Sequence, residues 1–511
     1  VAEEFDAVII GGGISGLVCG AFLAKEGRKV LLMEKNQSAG GCCTSFNRSG
    51  FTFDAAFYFF QGFGKDQPLE SMLGELGALE DVSLITSPTL CTLIFPEHTI
   101  DVPRDLSQYI SLLGTLFPRE KKRLRRMFDV VEKIALEAER FPLYPGFRQR
   151  LISPVTAMWT SEYRGASFNG FLGDFIRDKK LKAILGALWP CLGLPPSKVS
   201  AVRMCLLLHQ AHAHGFFYPE GGSRRLAEGL ARAFERMGGT LRLNSRASRI
   251  FIMKRAVKGV QTAGGETLLT SCVVSCADAS RTFLALVGED NVSLSFANRL
   301  RALRPSCSFF QAWLGSGLDP ASSGISAPHV FMYSSYDGDA VYSECLEGKP
   351  SCIMASFPSL LDPSLAPPLS QVIRLAVPAS FDYTDNWRSG DFNEHGPEYR
   401  ELKQKTAENL IEKAEKIVPG LGGSIKVLET ATPLTLDRYT QNRDGAAYGW
   451  ENSPRYYSGG TFSDKTFIKG LFLAGQWTSS GGGSLAAALS ARAASESVLN
   501  TFMAVDAGRE A

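Results

Sequence analysis

The feature that most constrains this chain is a glycine pattern within its first forty residues. Ala7 to Ile10 (AVII) is a short apolar run, the mark of a strand buried on both faces of a parallel sheet. Gly11-x-Gly13-x-x-Gly16 follows at once, and Ile14 to Glu26 then reads as a helix with Leu17, Ala21 and Ala24 on one side. Val30 to Met33 (VLLM) is a second buried strand, ending at Glu34, eighteen residues after Gly16. Each glycine has a task. The first permits a tight turn, the second lets the backbone approach a pyrophosphate, and the third lets helix and sheet pack closely. The phosphates are then expected on the helix N-terminus at Ile14, Ser15 and Gly16, the positive end of its dipole. Glu34 is placed to accept hydrogen bonds from an adenosine ribose, with Lys35 beside it.

The fingerprint alone does not separate NAD from FAD. Gly40-Gly41 lies just after the second strand, and a second glycine-rich strand, turn and helix stands near the C-terminus. There Leu471 to Ala474 (LFLA) leads to Gly475-Gln476-Trp477, then Gly481 to Gly483, then a helix from Ser484 to Leu499. FAD is long and needs a second docking point for its ribityl and flavin end. A helix N-terminus at Gly483, Ser484 and Leu485 would stabilise the anionic reduced ring. No second complete dinucleotide fingerprint is present, so a dedicated NAD(P)H domain is not expected. The expected cofactor is one non-covalent FAD, in a Rossmann-type domain assembled from both ends of the chain.

At 511 residues the chain can form two intertwined domains around a large core. A net charge of +2, with no RNA- or DNA-reading motif, points away from nucleic acid. The 11 cysteines show neither a disulfide nor a zinc rhythm, which suits a reducing compartment. Ala183 to Pro196 is the longest apolar stretch, and three prolines break it well short of a membrane span. Val1 to Phe5 has no basic segment leading an apolar one, so no signal peptide is expected here. The expected location is intracellular, cytoplasmic or peripherally membrane-associated.

Phe51, Phe53, Phe57, Tyr58, Phe59, Phe60 and Phe63 crowd a short stretch, either packing a core or walling an apolar cavity. Arg119 to Glu137 reads as an amphipathic helix with Leu124, Met127, Phe128, Val131 and Ile134 on its buried side. Its start is basic, which suits either a solvated face or anionic lipid headgroups; neutralising Arg123, Arg125 and Arg126 is expected to weaken liposome binding. Ser223, after the turn Tyr218 to Gly222 (YPEGG), is expected to cap the helix Arg224 to Met237, with Leu226, Leu230 and Phe234 buried. Strands follow at Thr240 to Leu243, Arg249 to Met253, Val257 to Thr262 and Val273 to Cys276, and 290–440 mixes strands and loops. His209, His212 and His214 lack further ligands and read as polar residues near a helix end. Adjacent Cys42 and Cys43 would form only a strained disulfide, so packing beside the cofactor is the better reading. No GxSxG, HExxH or metal-ligand pair stands out, which fits chemistry carried by a flavin.

These residues resemble the flavoproteins of the phytoene desaturase, carotenoid isomerase and retinol saturase family. The likeness rests on Ala7 to Glu34, Gly40 to Asp54, Tyr218 to Ile250 and Gly470 to Leu499. Ala39-Gly40-Gly41-Cys42-Cys43 is similar to the retinol saturase stretch, whereas the broader superfamily usually has Arg where Cys42 stands. Tyr218-Pro219-Glu220-Gly221-Gly222 resembles the P-x-G-G turn of the desaturases. Ser479 to Leu485 departs from their proline-bearing P-G-x-G-x-P-G, and Gln476 stands where an acid is common. Gln still hydrogen-bonds ribityl or phosphate oxygens, but strict phytoene desaturase activity is not implied.

The resemblance implies an α/β fold: a glutathione reductase-like, layered Rossmann-type FAD-binding domain over 1–90, 215–290 and 440–505. An α+β substrate domain over 91–214 and 291–439 is interleaved with it. It implies the adenine end near Ala247 and the isoalloxazine near Ala55 to Tyr58 and Gly483 to Leu485. Gly41, Cys42, Gly475 and Gln476 would also touch the cofactor, and Tyr58 is the candidate catalytic group beside the ring. The implied reaction is desaturation, saturation or isomerisation of a lipophilic unsaturated chain, oriented by an apolar tunnel. A membrane surface is a possible partner; oligomeric state stays open. Two other classes compete: a flavin amine oxidase-like enzyme with a polar substrate, and a non-enzymatic prenyl-binding escort of the same fold. Retention of Glu34, Gly41 and the Gly475 to Leu485 segment argues against the escort.

Overall fold

A computed structural model describes residues 3–510 apart from 57–58, 141–156, 320, 322–323, 391–394 and 457–461. Two sheets organise them. The first is five-stranded and parallel, in the order Leu471–Leu473, Val273–Ser275, Ala7–Ile10, Val30–Met33, Thr240–Arg242. Every residue of its first four strands is buried, as a sheet covered on both faces requires. The helix Ile14–Lys25 is buried all round from Ile14 to Ala24, not on one side as its sequence suggested. It is wedged between the sheet and the helices Arg224–Arg236 and Ser484–Glu510, so no face is left for solvent. Leu226, Leu230 and Phe234 of Arg224–Arg236 meet it from the far side. A three-stranded antiparallel sheet, Ala247–Met253, Ala256–Thr262 and Thr267–Leu269, is inserted before Val273–Ser275.

The second sheet has seven strands, in the order Ile425–Ala431, Ser308–Ser316, Gln371–Ala379, Cys352–Ser356, His329–Tyr333, Thr89–Ile94, Thr99–Pro103. All its pairings are antiparallel except that of His329–Tyr333 with Thr89–Ile94. Thr89–Ile94 runs across the domain boundary drawn at residue 90. Two further sheets are two-stranded and antiparallel: the hairpin of Ser45–Arg48 with Phe51–Asp54, and the long-range pair of Leu84–Thr86 with Phe217–Pro219.

A helical layer packs beside the second sheet. In its helix Lys121–Arg140, Leu124, Met127, Phe128, Val131 and Ile134 are buried as the helical period predicts. Lys121, Lys122, Arg125 and Arg126 are exposed. Arg123 is not one of this set: it is half-buried and pairs with the buried Glu120 at 3.0 Å. Among the described residues no helix is long and apolar enough to cross a membrane.

Candidate functional site

The two glycine-rich turns meet at the carboxyl ends of the parallel strands. Gly11 leaves the first strand at φ +106°, a conformation that favours glycine. A Cβ on Gly12 would stand 2.9 Å from that of Glu34, and one on Gly16 would overlap the Gly11 carbonyl oxygen. Gly13 faces only backbone, with Gly41 Cα 3.9 Å from where its Cβ would be. The Gly40 N–H donates to Gly12 O at 2.7 Å, which holds exposed Gly41 opposite the helix start. Glu34 is buried; its Oε2 accepts from Gly12 N–H and its Oε1 from Asn36 N–H, both at 2.8 Å. A carboxylate offers about four lone-pair sites, so capacity remains for a ribose diol. Lys35 Nζ donates to Arg438 O at 3.0 Å, tying the helix Pro433–Thr440 to this end of the sheet, and burial lowers its ammonium pKa. Ala247 is buried with Ile10 and Met33 at the ends of the first two strands.

Gly475 follows the strand Leu471–Leu473 at φ +95°, and a Cβ on it would stand 2.8 Å from Ser15 Oγ. This contact brings the C-terminal turn onto the N-terminal helix. The Gly475 N–H donates to Ser490 Oγ at 3.0 Å, and Thr478 Oγ1 donates to Gly475 O at 2.7 Å. Trp477 Nε1 donates to Asn442 Oδ1 at 3.0 Å, and Gln476 is half-buried. Arg203, on the helix Ala201–Ala213, donates to the carbonyls of Ser479 and Ser480. A Cβ on Gly482 would overlap the Tyr448 backbone, whereas one on exposed Gly483 would meet nothing within 4 Å. Ser484 and Leu485 then begin the helix Ser484–Glu510. The helices Ile14–Lys25 and Ser484–Glu510 pack on each other, and each leaves first-turn N–H groups without intrahelical acceptors, neither with an acid in that turn. Two such N-termini, the glycine turns and Glu34 fit a dinucleotide that carries a diphosphate and an electron-rich ring.

A buried polar network centres on Asp54. Asp54 Oδ1 accepts from Ser45 Oγ at 2.7 Å and from both the N–H and the hydroxyl of Ser223 at 2.8 Å; Oδ2 accepts from Tyr218 OH at 2.5 Å. Burial first, then the Asp54 charge, raises the Tyr218 phenol well above its ordinary pKa, so it stays a donor. Ser223 accordingly makes no side-chain cap on Arg224–Arg236: its hydroxyl is drawn to Asp54, far away in sequence. Trp313 Nε1 donates to Asp54 O at 2.6 Å, and Arg374 Nη1 donates to Ala56 O at 2.6 Å, so the second sheet grips the segment that follows Asp54.

The remaining expected positions fall as follows. Tyr58, like Phe57, lies outside the described residues; Ala55 and Ala56 before it are half-buried. Phe51, Phe53, Phe60 and Phe63 are core, whereas Phe59 stacks on Phe216 at 3.7 Å and borders a narrow cavity of about 10 Å³. Cys42 and Cys43 are free thiols, Cys43 donating to Ser223 O at 2.9 Å. Burial raises both, an effect that Arg374 partly offsets at Cys42. His212 Nδ1 contacts Arg104 O at 3.1 Å and its ring stacks on Tyr109; burial holds its pKa down to about 4. Asp54, Trp313, Arg374, Gln311 and His329 were not among the expected residues. The one sequence signal was a lone Arg in the apolar run Gln371–Ala379.

Residues 9–76 match the NAD(P)-binding Rossmann-like domain, and residues 177–496 match the FAD dependent oxidoreductase family. The chain is 28% identical over 505 residues to prolycopene isomerase 1 of an Oncidium hybrid cultivar, covering 96% of this chain and 83% of the relative. It is 24% identical over 513 residues to all-trans-retinol 13,14-reductase of Danio rerio, covering 93% and 83%. An oxidoreductase from Methanosarcina mazei superposes with a TM-score of 0.64 at 17% identity, over 96% of this chain and 100% of that one. Cyclohexylamine oxidase from Brevibacterium oxydans superposes at 0.63 and 14%, over 98% and 99%; these two likenesses speak for the fold alone. The chain belongs to the FAD dependent oxidoreductase family, in its carotenoid isomerase and retinol saturase group, and FAD is its cofactor.

Proposed function

We propose that this enzyme acts on the C–C bonds of a lipophilic unsaturated chain of the carotenoid or retinoid kind, by desaturation, saturation or cis–trans isomerisation. The observation that carries the reading is the likeness, over 96% and 93% of this chain, to a prolycopene isomerase and to a retinol 13,14-reductase. The narrow space beside Phe59, about one water in size, has no carboxylate among its described lining residues, which is in keeping with that reading.

FAD supplies the hydride acceptor or donor. The residues of the chain bind and orient. We assign Gly11, Gly13, Ile14, Ser15 and Gly16 to the pyrophosphate, Glu34 and Lys35 to the adenosine ribose, and Ala247 to the adenine. Gly41, Cys42, Gly475, Gln476, Gly483, Ser484 and Leu485 serve the ribityl and ring end, with Tyr58 the polar group beside the ring. The cofactor part comprises 1–90, 215–290 and 440–505. Apolar walls exclude water and hold the chain in register, because a polyene offers few polar handles. Such a substrate resides in a bilayer. Lys121, Lys122, Arg125 and Arg126, next to exposed Leu112 and Leu116 of the adjoining helix Leu106–Leu116, dock the enzyme on an anionic surface.

The test is mass spectrometry of the small molecules released when freshly purified protein is denatured, paired with anaerobic mixing of the holoenzyme with amines. FAD together with a polyene lipid, and no flavin reduction by amines, is the expected result. FAD without lipid, and rapid reduction by an amine, would replace this reading with an amine oxidase one.

A further inference from the structure

Four basic side chains gather where two helices meet. Arg400 and Lys403 stand on the helix Pro397–Ala414, His395 lies just before it, and Arg438 stands on Pro433–Thr440. The two helices are joined by Tyr399 OH and Thr432 Oγ1, 2.9 Å apart. The His395 ring lies flat on Tyr399, with centroids 4.1 Å apart and planes 15° from parallel. Lys403, one helical turn on from Tyr399, sets its Nζ 5.9 Å from the centroid of the same ring. Arg400 Nε donates to His395 O at 3.1 Å, and the Arg438 guanidinium rests over Tyr439.

Like charges held together destabilise one another, and these have little to offset them. Burial first lowers the His395 pKa, and the charges of Arg438, Lys403 and Arg400 lower it further, so the ring is neutral near pH 7. Lys403 is lowered too, by burial first, with Arg438 adding to the effect and Glu429 opposing it. Glu429 is itself engaged, in a pair with Arg48 at 2.8 Å. Among the described residues no carboxylate forms an ion pair with Arg400, Lys403 or Arg438. His395 Nδ1 is closed off from bulk water and meets no hydrogen-bond partner in the chain. A buried polar atom in that position is ordinarily matched by a water or an ion.

We propose that His395, Arg400, Lys403 and Arg438 form a binding site for a phosphate group. Arg438 offers a planar fork that matches two phosphate oxygens, and Lys403 and Arg400 add charge. The neutral imidazole, held against Tyr399, gives an Nδ1–H to a further oxygen. A carboxylate has two oxygens and one charge, too few for this set. A phosphomonoester brings three strong acceptor oxygens and close to two negative charges, and so turns a repulsive cluster into a paired one. None of the four belongs to the residues assigned to FAD; the Arg438 carbonyl alone, through Lys35, touches that end. A soluble phosphomonoester and the headgroup of phosphatidic acid both carry the group, and the test separates them.

The test is calorimetric titration of the FAD-loaded enzyme with glycerol 1-phosphate, alongside co-sedimentation with phosphatidylcholine vesicles with and without phosphatidic acid, at matched ionic strength. The wild type should bind at least one of the two probes saturably. K403Q/R438Q should weaken that binding by at least about tenfold, the scale of lost charge-assisted hydrogen bonds. H395F, which keeps a ring on Tyr399 but has no N–H, should weaken it by at least about threefold and guards against a simple loss of fold. K405Q/K416Q removes two exposed charges from the neighbouring surface and should change binding by less than about twofold. Glycerol phosphate bound and lost in K403Q/R438Q assigns a soluble ligand. Vesicles alone bound, through phosphatidic acid and with the same loss, assign a lipid headgroup. No saturable binding of either probe would overturn the proposal. So would binding that K403Q/R438Q and H395F leave unchanged, or that K405Q/K416Q reduces as far as K403Q/R438Q does.

Discussion

A single methyl group on Gly16 would overlap the carbonyl oxygen of Gly11, and neither partner can retreat, since both are backbone in the turn between strand and helix. Overpacking of this kind costs about 1–3 kcal/mol, and here it falls on the pyrophosphate turn. Gly16→Ala should therefore purify with at least about tenfold weaker FAD retention, measured as the ratio of flavin to protein absorbance after dialysis. Full retention would show that the turn does not bear on the cofactor. That glycine was legible in the sequence because its neighbours were: strand, helix and Glu34 stand in one local order. Ser223 was misread for the opposite reason. A serine before a helix looks like a cap, but here Asp54 takes its hydroxyl through a contact that no local window contains. His329, Arg374 and Gln311 were passed over likewise, since they become neighbours only when separate strands pair.

At the scale of elements, the helix Lys121–Arg140 was readable because its apolar positions keep the 3.6-residue period, and the same period put its charges outward. What the period does not contain is Glu120. This buried acid pairs with Arg123 and accepts the N–H groups of Arg177 and Asp178 at 3.0 Å, so Arg123 belongs to a tertiary joint. The variant that tests membrane docking is thus K122E/R125E/R126E, with Arg123 kept. Each basic residue near an anionic surface contributes about 1 kcal/mol, so binding to phosphatidylserine-containing vesicles should fall by at least tenfold, and wild-type binding should weaken as salt rises. Co-sedimentation equal to wild type would move the docking face elsewhere. The helix Ile14–Lys25 marks where periodicity ends as a guide: squeezed from every side, it has no solvent face for a pattern to reveal.

For the molecule as a whole, two buried imidazoles set an acid limit. His212 and His329 fold with pKa values near 4 and near 3, both lowered from 6.5 chiefly by burial. The unfolded chain takes up protons at these positions that the folded chain refuses. Their contribution is therefore complete above pH ~6.5 and declines as pH falls from there toward 4 and then 3. At pH 5 the loss is about 2 kcal/mol for each, read as a lower urea midpoint than at pH 7.5, and H329F should remove about half of it. A midpoint that does not move between these pH values would mean that the two rings are not held neutral by the fold. The order of the parallel sheet has a further consequence, for the making of the protein. Its central strand, Ala7–Ile10, leaves the ribosome about 460 residues ahead of Leu471–Leu473, the strand that closes the sheet on Val273–Ser275. At ordinary rates of translation that is a wait of roughly half a minute to a minute and a half, during which an apolar edge stands open to other chains. The strand that completes the sheet, and with it the Gly475 to Leu485 turn that we assign to the cofactor, is thus among the last parts of the fold to be made.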